Sequence, residues 1–266
     1  MQFCVLGSGS RGNCTLVEVG ETRILIDAGF SGKEIERRLA WIDRAGDMLS
    51  AIVVTHEHSD HVAGLGVLAR RYQIPVYMNQ GTYEACCTKI KKIPQLEFFT
   101  TGETFAIQGV GVHPFAVTHD TVDPVGFVLH HQGLSLGYCT DTGRITKLIR
   151  HHVRKCRALI LESNHDLEML RKGPYPIHLQ QRIQSAEGHL ENEEALHFAY
   201  ELGQENLRVL VLAHLSATNN TPEAVRTAIG RYLNESPVLV HIAEQDVPGP
   251  FLRVSDSSTW DEKHPP

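Results

Sequence analysis

Over its first 27 residues the chain is built from short blocks of apolar and β-branched positions. Residues 1–6 form one strand-like run. The blocks on either side of Gly20-Glu21 predict a strand, a tight turn and a second strand. Between the first two runs lies Gly7-x-Gly9-x-x-Gly12. Asp27 follows at about the distance where a dinucleotide-binding fold places its ribose-binding acid. That motif requires a helix opening at the third glycine, whose N-terminus meets the pyrophosphate. No amphipathic helix fits before Ser31, so no nucleotide cofactor is expected. Two readings of the 7–13 loop stay open. Its backbone N–H groups, with Ser10 and Asn13, line a substrate entrance and hold a phosphate, or it is a permissive turn needing positive φ.

Further along, Ser31-Gly32-Lys33-Glu34 is a capping-box pattern, and Ile35, Leu39 and Ile42 give its helix an apolar stripe. Residues 51–55 predict a buried strand, 62–72 a helix and 75–78 a strand, while Lys89 to Lys92 reads as a charged loop. Residues 97–140 are strand-rich, with runs at 98–99, 104–107, 110–117, 125–130 and 134–138. Then come a helix at 144–153, a strand at 158–161, a helix at 193–202 capped by Asn192 and a strand at 207–213. Thr221-Pro222-Glu223 opens a helix to Leu233, and 237–242 is a last strand. Two β-rich halves, each backed by helices, predict an α/β fold, a four-layer αββα sandwich forming one domain over 1–254. Residues 255–266 read as a polar tail.

Composition narrows the chemistry. A chain of 266 residues can bury a full core. A net charge of −6 gives no global attraction to nucleic acid, leaving only local patches. Six cysteines without a C-x-x-C pair fit free thiols in the cytoplasm. No apolar run is long enough to span a membrane, and the first residues read as a strand rather than a secretion signal. Sixteen histidines ask for a metal. The sharpest signal is Thr55-His56-Glu57-His58-Ser59-Asp60-His61. His56 and His58 stand two apart on an extended segment and point the same way. Asp60 and His61 fall where a helix begins. One loop cannot complete a metal shell alone. The further candidates are His119, Asp141 and His214, each just past an apolar strand. Taken singly, each of these three reads as an ordinary loop residue.

Ile26-Asp27-Ala28-Gly29, His56-x-His58-x-Asp60-His61, His119, Asp141 and His214 resemble, in order, the five motifs of the metallo-β-lactamase superfamily. The resemblance spans roughly residues 1–242. It implies that His56, His58 and His119 hold one divalent cation, and that Asp60, His61 and His214 hold a second. It also implies that Asp141 bridges them and that Asp27 orients the histidine loop. Within the superfamily the chain is similar to the YycJ-type (WalJ) branch of DNA exonucleases. That similarity rests on the 7–13 loop, Glu162-Ser163-Asn164-His165-Asp166, Gly173-Pro174-Tyr175-Pro176, Gly188-His189-Leu190, and His214-Leu215-Ser216 with Asn219-Asn220. The branch often has Ser after Gly-His-Leu, where this chain has Glu191. Glu162 and His189 also resemble a Glu and a Gly-His pair of transfer-RNA 3′-processing nucleases, although no inserted arm is evident.

The resemblance implies a dinuclear phosphodiesterase acting on nucleic acid, DNA before RNA, as a 5′-to-3′ exonuclease with two Zn or Mn ions. A hydroxide shared by the cations would attack phosphorus in line, oriented by Asp60. His189, raised and oriented by Glu162, would protonate the leaving oxygen. The pair reads equally as a structural histidine and an ordinary acid. Ser10, Asn13, Asn164, His165 and Ser216 are candidate substrate contacts, with Asn164 alternatively a helix cap. Arg11, Lys33, Arg37, Arg38, Arg144, Lys147, Arg171, Lys172 and Arg182 are candidates for a cationic rim, or are solvated helix faces. Two rival functions remain: a small-molecule hydrolase of cyclic phosphodiesters, thioesters or lactones, and a silent metal-binding module.

Overall fold

The computed structural model describes residues 1–255. The polar tail expected at 255–266 therefore lies, from residue 256 onward, outside the described residues. The first half runs β1 (Gln2–Gly7), β2 (Cys14–Val19), β3 (Thr22–Ile26), α1 (Gly32–Trp41), β4 (Ala51–Val53), α2 (Ser59–Val62), α3 (Leu65–Tyr72), β5 (Val76–Met78), α4 (Gln80–Ile90) and β6 (Leu96–Phe98). The second runs β7 (Phe105–Ile107), β8 (Val110–Ala116), β9 (Val125–His131), β10 (Leu134–Cys139), α5 (Lys147–Val153), β11 (Ala158–Glu162), α6 (Leu167–Lys172), α7 (Ile177–Ile183), α8 (Asn192–Gly203), β12 (Val209–Ala213), α9 (Pro222–Tyr232) and β13 (Leu239–Ile242). The short β14 (Leu252–Arg253) returns to pair with β1.

Two seven-stranded sheets result, ordered β14-β1-β2-β3-β4-β5-β6 and β13-β12-β11-β10-β9-β8-β7. In each, an antiparallel half joins a parallel half of four strands. Both faces of each sheet are covered, which is why the strands read as near-continuous apolar runs. The two-residue period of a strand sorts the side chains. Ile24 and Ile26 of β3 and Val209 and Val211 of β12 face the shared core between the sheets. Leu25 turns outward under Ile35 and Leu39 of α1, and Leu210 and Leu212 turn outward under α8 and α9. The expected αββα sandwich is thus the observed fold.

Several boundaries differ from expectation. The helix expected over 62–72 is broken at Ala63-Gly64. The Gly64 amide donates to the Ala28 carbonyl at 2.8 Å, and a Cβ at Gly64 would lie 2.3 Å from the Phe30 carbonyl oxygen. Lys89 closes α4 rather than sitting in a loop. The helix expected from Arg144 starts at Lys147, capped by the Thr146 hydroxyl. Asn192 lies inside α8, whose N-cap position is Glu191. Its side chain instead bonds Ser163 and Asn220 in a buried network. The Ser31 cap does form, accepting from the Glu34 amide. Glu34, however, spends its carboxylate on Arg37 and Arg38 rather than completing the box.

Candidate metal centre

All the strands that carry candidate ligands deliver them from their C-terminal ends to one edge of the sandwich. Asp27 follows β3, the His56–His61 loop follows β4, His119 follows β8, Asp141 follows β10, Glu162 ends β11 and His214 follows β12. Asp27, Asp141 and His214 have φ of 61°, 55° and 56°. A non-glycine residue held in the left-handed region costs roughly 1–3 kcal/mol and persists where the surroundings over-determine it. Here the turn points each side chain back across the strand ends.

The donor atoms gather in overlapping sets. Those of His56, His58 and His119 lie within 4.8 Å of one another, as do those of Asp60, His61 and His214. Asp141 belongs to a set with His56 and His61 and to another with Glu162, His189 and His214. Nε2 of His56, Nε2 of His214 and Oδ2 of Asp141 are buried without any hydrogen-bond partner. An unsatisfied buried polar atom costs roughly 1–3 kcal/mol, so these atoms call for a cation. A mixed imidazole and carboxylate set suits Zn²⁺ or Mn²⁺.

The remaining nitrogens are held from behind. The His61 Nδ1 donates to Asp27 Oδ2 at 2.8 Å, and the Thr55 amide and hydroxyl donate to the same carboxylate. The His119 Nδ1 donates to the Gly188 carbonyl at 3.2 Å and that of His214 to Glu162 Oε1 at 2.8 Å. Such partners fix ring orientation and tautomer. Electrostatics follow burial and these neighbours. Burial, with neighbouring imidazoles, pushes the His56 pKa well down. Burial would do the same to His214, but the nearby Asp141 and Asp60 carboxylates and the bond to Glu162 hold it up at about 10. His61 is likewise raised, by Asp141, Asp27 and Asp60 against its burial.

Glu162 is fully buried and satisfies four donors. Its Oε1 accepts from Nδ1 of His189 at 2.7 Å and of His214 at 2.8 Å. Its Oε2 accepts from the amides of Thr142 at 2.9 Å and Leu190 at 3.2 Å. The charge of His189 and the bonds from His189 and His214 hold the carboxyl far below the usual range in spite of burial. Glu162 thus touches both His189 and a candidate ligand, a double connection that the sequence did not suggest. Asp60 and His189 keep side-chain exposures of 21% and 23% and mark the open side of the centre.

A cavity of about 220 Å³ adjoins that open side. Ser10, Asn164, Ser216 and His189 line it, together with Asp120 and Arg182, whose Nε donates to Asp120 at 2.8 Å. Asn13 and His165, expected at the substrate, are instead buried. Asn13 donates near His61 Nε2 at 3.1 Å, and its amide bonds the Asp60 carbonyl, so it ties the glycine loop to the histidine loop. Burial depresses the His165 pKa to about 4. Asn164 is no helix cap. Asp166 caps α6, and the Asn164 side-chain Nδ2 donates to the His214 carbonyl at 2.9 Å.

The glycine loop offers little backbone for a phosphate. The amides of Gly9, Arg11, Gly12 and Asn13 are taken by Asn13, Gln245, Gly9 and Asp60. Gly9 has φ of 149° and a Cβ there would meet the Gln245 side chain at 2.6 Å, which favours the permissive-turn reading. Of the expected cationic rim, Arg38 is buried over the Phe30 ring at 3.8 Å and bonds the Leu6 carbonyl. Arg11, Arg37 and Lys172 pair with Asp246, Glu34 and Glu168. Sequence reasoning missed Asp120, Thr55 and Gln245. Asp120 alone carried a signal, as a carboxylate next to His119. All six cysteines are free thiols. No helix among the described residues is long and apolar enough to cross a membrane.

Comparison with known proteins places this geometry. The chain is 39% identical over 237 residues to the exodeoxyribonuclease YycJ of Bacillus anthracis, covering 88% of this chain and 90% of that protein. It is 35% identical over 245 residues to the exodeoxyribonuclease WalJ of Streptococcus pneumoniae, covering 91% of each. The metallo-β-lactamase fold protein YhfI from Bacillus subtilis superposes with a TM-score of 0.73 at 19% identity, over 94% of this chain and 99% of that one. Residues 22–215 match the model of the beta-lactamase superfamily domain. The chain therefore belongs to the β-lactamase superfamily, in its metallo-β-lactamase fold, and to the family of the YycJ and WalJ proteins.

Proposed function

We propose that this protein is a dinuclear metal-dependent phosphodiesterase that degrades DNA from the 5′ end. The observation that carries the reading is the pair of donor sets meeting at Asp141, with unpartnered buried nitrogens and a carboxylate oxygen. The relatives at 35–39% identity that bear the exodeoxyribonuclease name supply the substrate class. In this reading His56, His58 and His119 hold one cation and Asp60, His61 and His214 the other, with Asp141 between them and Asp27 steadying His61. Bound Zn²⁺ or Mn²⁺ would supply Lewis acidity toward the phosphoryl oxygens and lower the pKa of water.

The chain's own groups do the rest. Asp60, on the open side, orients the attacking water. His189 carries a proton on Nε2 for the leaving oxygen, its Nδ1 being held by Glu162. Burial works against that proton, but the Glu162 carboxylate outweighs it and raises the His189 pKa, favouring the protonated ring. Ser10, Asn164 and Ser216 contact the substrate from the cavity. Six unpaired thiols suit a reducing cytoplasm.

The test is digestion of end-labelled DNA, with and without a 5′-phosphate, by Zn²⁺- or Mn²⁺-loaded wild type and Asp141→Ala. Progressive loss from the 5′ end by wild type alone is the expected result. No digestion with two cations demonstrably bound would overturn the reading in favour of a small-molecule hydrolase.

A further inference from the structure

The Gly173-Pro174-Tyr175-Pro176 segment has no part in holding a cation, yet it walls the cavity beside the centre. Tyr175, Leu179 and Ile183 form an apolar side of that cavity. Ser10 and Ser216 lie on its lining too, and His189 links it to the metal centre. The segment is built to be rigid. Two prolines fix φ on either side of Tyr175, and Pro176 sits at φ −63° as the N-cap of α7. Gln180, itself buried, donates to the Tyr175 carbonyl at 2.8 Å. A Cβ at Gly173 would lie 2.7 Å from Asn219 Oδ1 and 2.8 Å from the Met169 carbonyl. Gly173 thus presses the segment against the 216–220 loop. Tyr175 is half-buried, and no aromatic ring among the described residues packs on it.

We propose that Tyr175 is the stacking platform for the terminal base of a single-stranded nucleic-acid end, and that the cavity holds the departing nucleotide. This rests on the phosphodiesterase reading above. His189 lines the cavity, so the oxygen it protonates leaves on the cavity side of phosphorus. Water adds its oxygen to phosphorus, and the bond from phosphorus to the departing nucleotide's oxygen breaks. That oxygen takes the His189 proton, while the proton lost by water goes to solvent, from which His189 is reprotonated. The departing nucleotide then occupies the space between His189 and Tyr175. About 220 Å³ is below the ~300–1,000 Å³ of ordinary ligand sites. The space is small, and a single unpaired residue is the smallest nucleic-acid unit that could enter it. An apolar wall with a free aromatic face holds any base, because every base has a π-face.

The experiment compares wild type, Tyr175→Ala and Tyr175→Phe on three substrates. These are a 5′-phosphorylated single-stranded oligonucleotide, the same strand with an abasic terminal residue, and bis(p-nitrophenyl) phosphate. Base stacking contributes about 1–3 kcal/mol. The ratio of oligonucleotide to small-diester kcat/KM should therefore fall about tenfold or more in Tyr175→Ala and recover in Tyr175→Phe. The abasic end should reproduce that loss in wild type. In metal-free protein, a terminal 2-aminopurine should be quenched on binding wild type and Tyr175→Phe but not Tyr175→Ala. A wild type that degrades DNA while Tyr175→Ala changes neither the ratio nor the quenching overturns the platform alone. A wild type that hydrolyses the small diester but no DNA overturns the nuclease reading, and this proposal with it.

Discussion

Glu162→Gln is the most informative single change, because one buried carboxylate serves four donors. The amide is nearly isosteric but can accept at only one of its two ends. If its NH₂ faces the Thr142 and Leu190 amides, two buried N–H groups lose their acceptor, at a cost of about 1–3 kcal/mol each. If it faces the imidazoles, His189 and His214 must accept at Nδ1 and carry their protons on Nε2. For His214 that blocks the nitrogen offered to the cation. Metal affinity should then fall about 10–100-fold. His189 keeps a proton but loses the negative charge that raises its pKa, so less of it is protonated near neutral pH. The assay is a metal titration followed by hydrolysis, at metal saturation, of phosphodiesters with good and poor leaving groups. Turnover of the poor leaving group should drop by about 10²–10⁴, and that of p-nitrophenolate far less. A Glu162→Gln protein with wild-type affinity and undiminished turnover of the poor leaving group would refute the reasoning.

Asp27→Asn keeps a residue that tolerates φ of 61° but weakens the hold on His61 Nδ1. Metal affinity should fall about 10–100-fold with the circular dichroism spectrum unchanged, as equilibrium dialysis would report. Gly29→Ala puts a Cβ 1.6 Å from the Asp60 carbonyl oxygen and 2.6 Å from the Asn13 nitrogen. Backbone cannot yield as a side chain can, so about 3 kcal/mol or more of stability should be lost, read from the urea midpoint of metal-free protein. With His214 held up at about 10 and His61 also raised, cation binding must release protons. Affinity should climb with pH towards about 10, and calorimetry in buffers of different ionisation enthalpy should count the protons. The metal-free fold should respond oppositely. The stability contributed by His214 is complete below about 6.5 and is lost as pH rises through about 10.

The centre was readable in the sequence where local order encodes it. His56, His58, Asp60 and His61 lie on one turn, and their spacing alone puts their donors within reach of one another. Asp141 and His214, polar residues ending apolar runs, were candidates that singly read as ordinary loop residues, and only the order of the superfamily's motifs picked them and Asp27 out. What stayed hidden depends on segments far apart in the chain. Nothing near Asn13 says that the Asp60 loop will bury it, and nothing near Arg38 says that Phe30 and the Leu6 carbonyl will enclose it. The break at Gly64 is imposed by residues 28–30 passing close by. The helix α4, with cysteines, lysines and glycine along it, has no clear apolar stripe from which to read it.

The donors that meet at Asp141 come from both sheets: His56, His58, Asp60 and His61 from the first, and His119, Asp141 and His214 from the second. A cation there is a cross-link that exists only when the two halves are closed together. At a free concentration a thousand times its Kd, such a ligand stabilises the folded state by about 4 kcal/mol, a large fraction of the ~5–15 kcal/mol that holds a typical domain together. Metal starvation would then act on this protein twice. It would stop hydrolysis at once, and by removing that contribution it would let the halves open more often, exposing the apolar seam between the sheets to proteases and shortening the life of the chain in the cell.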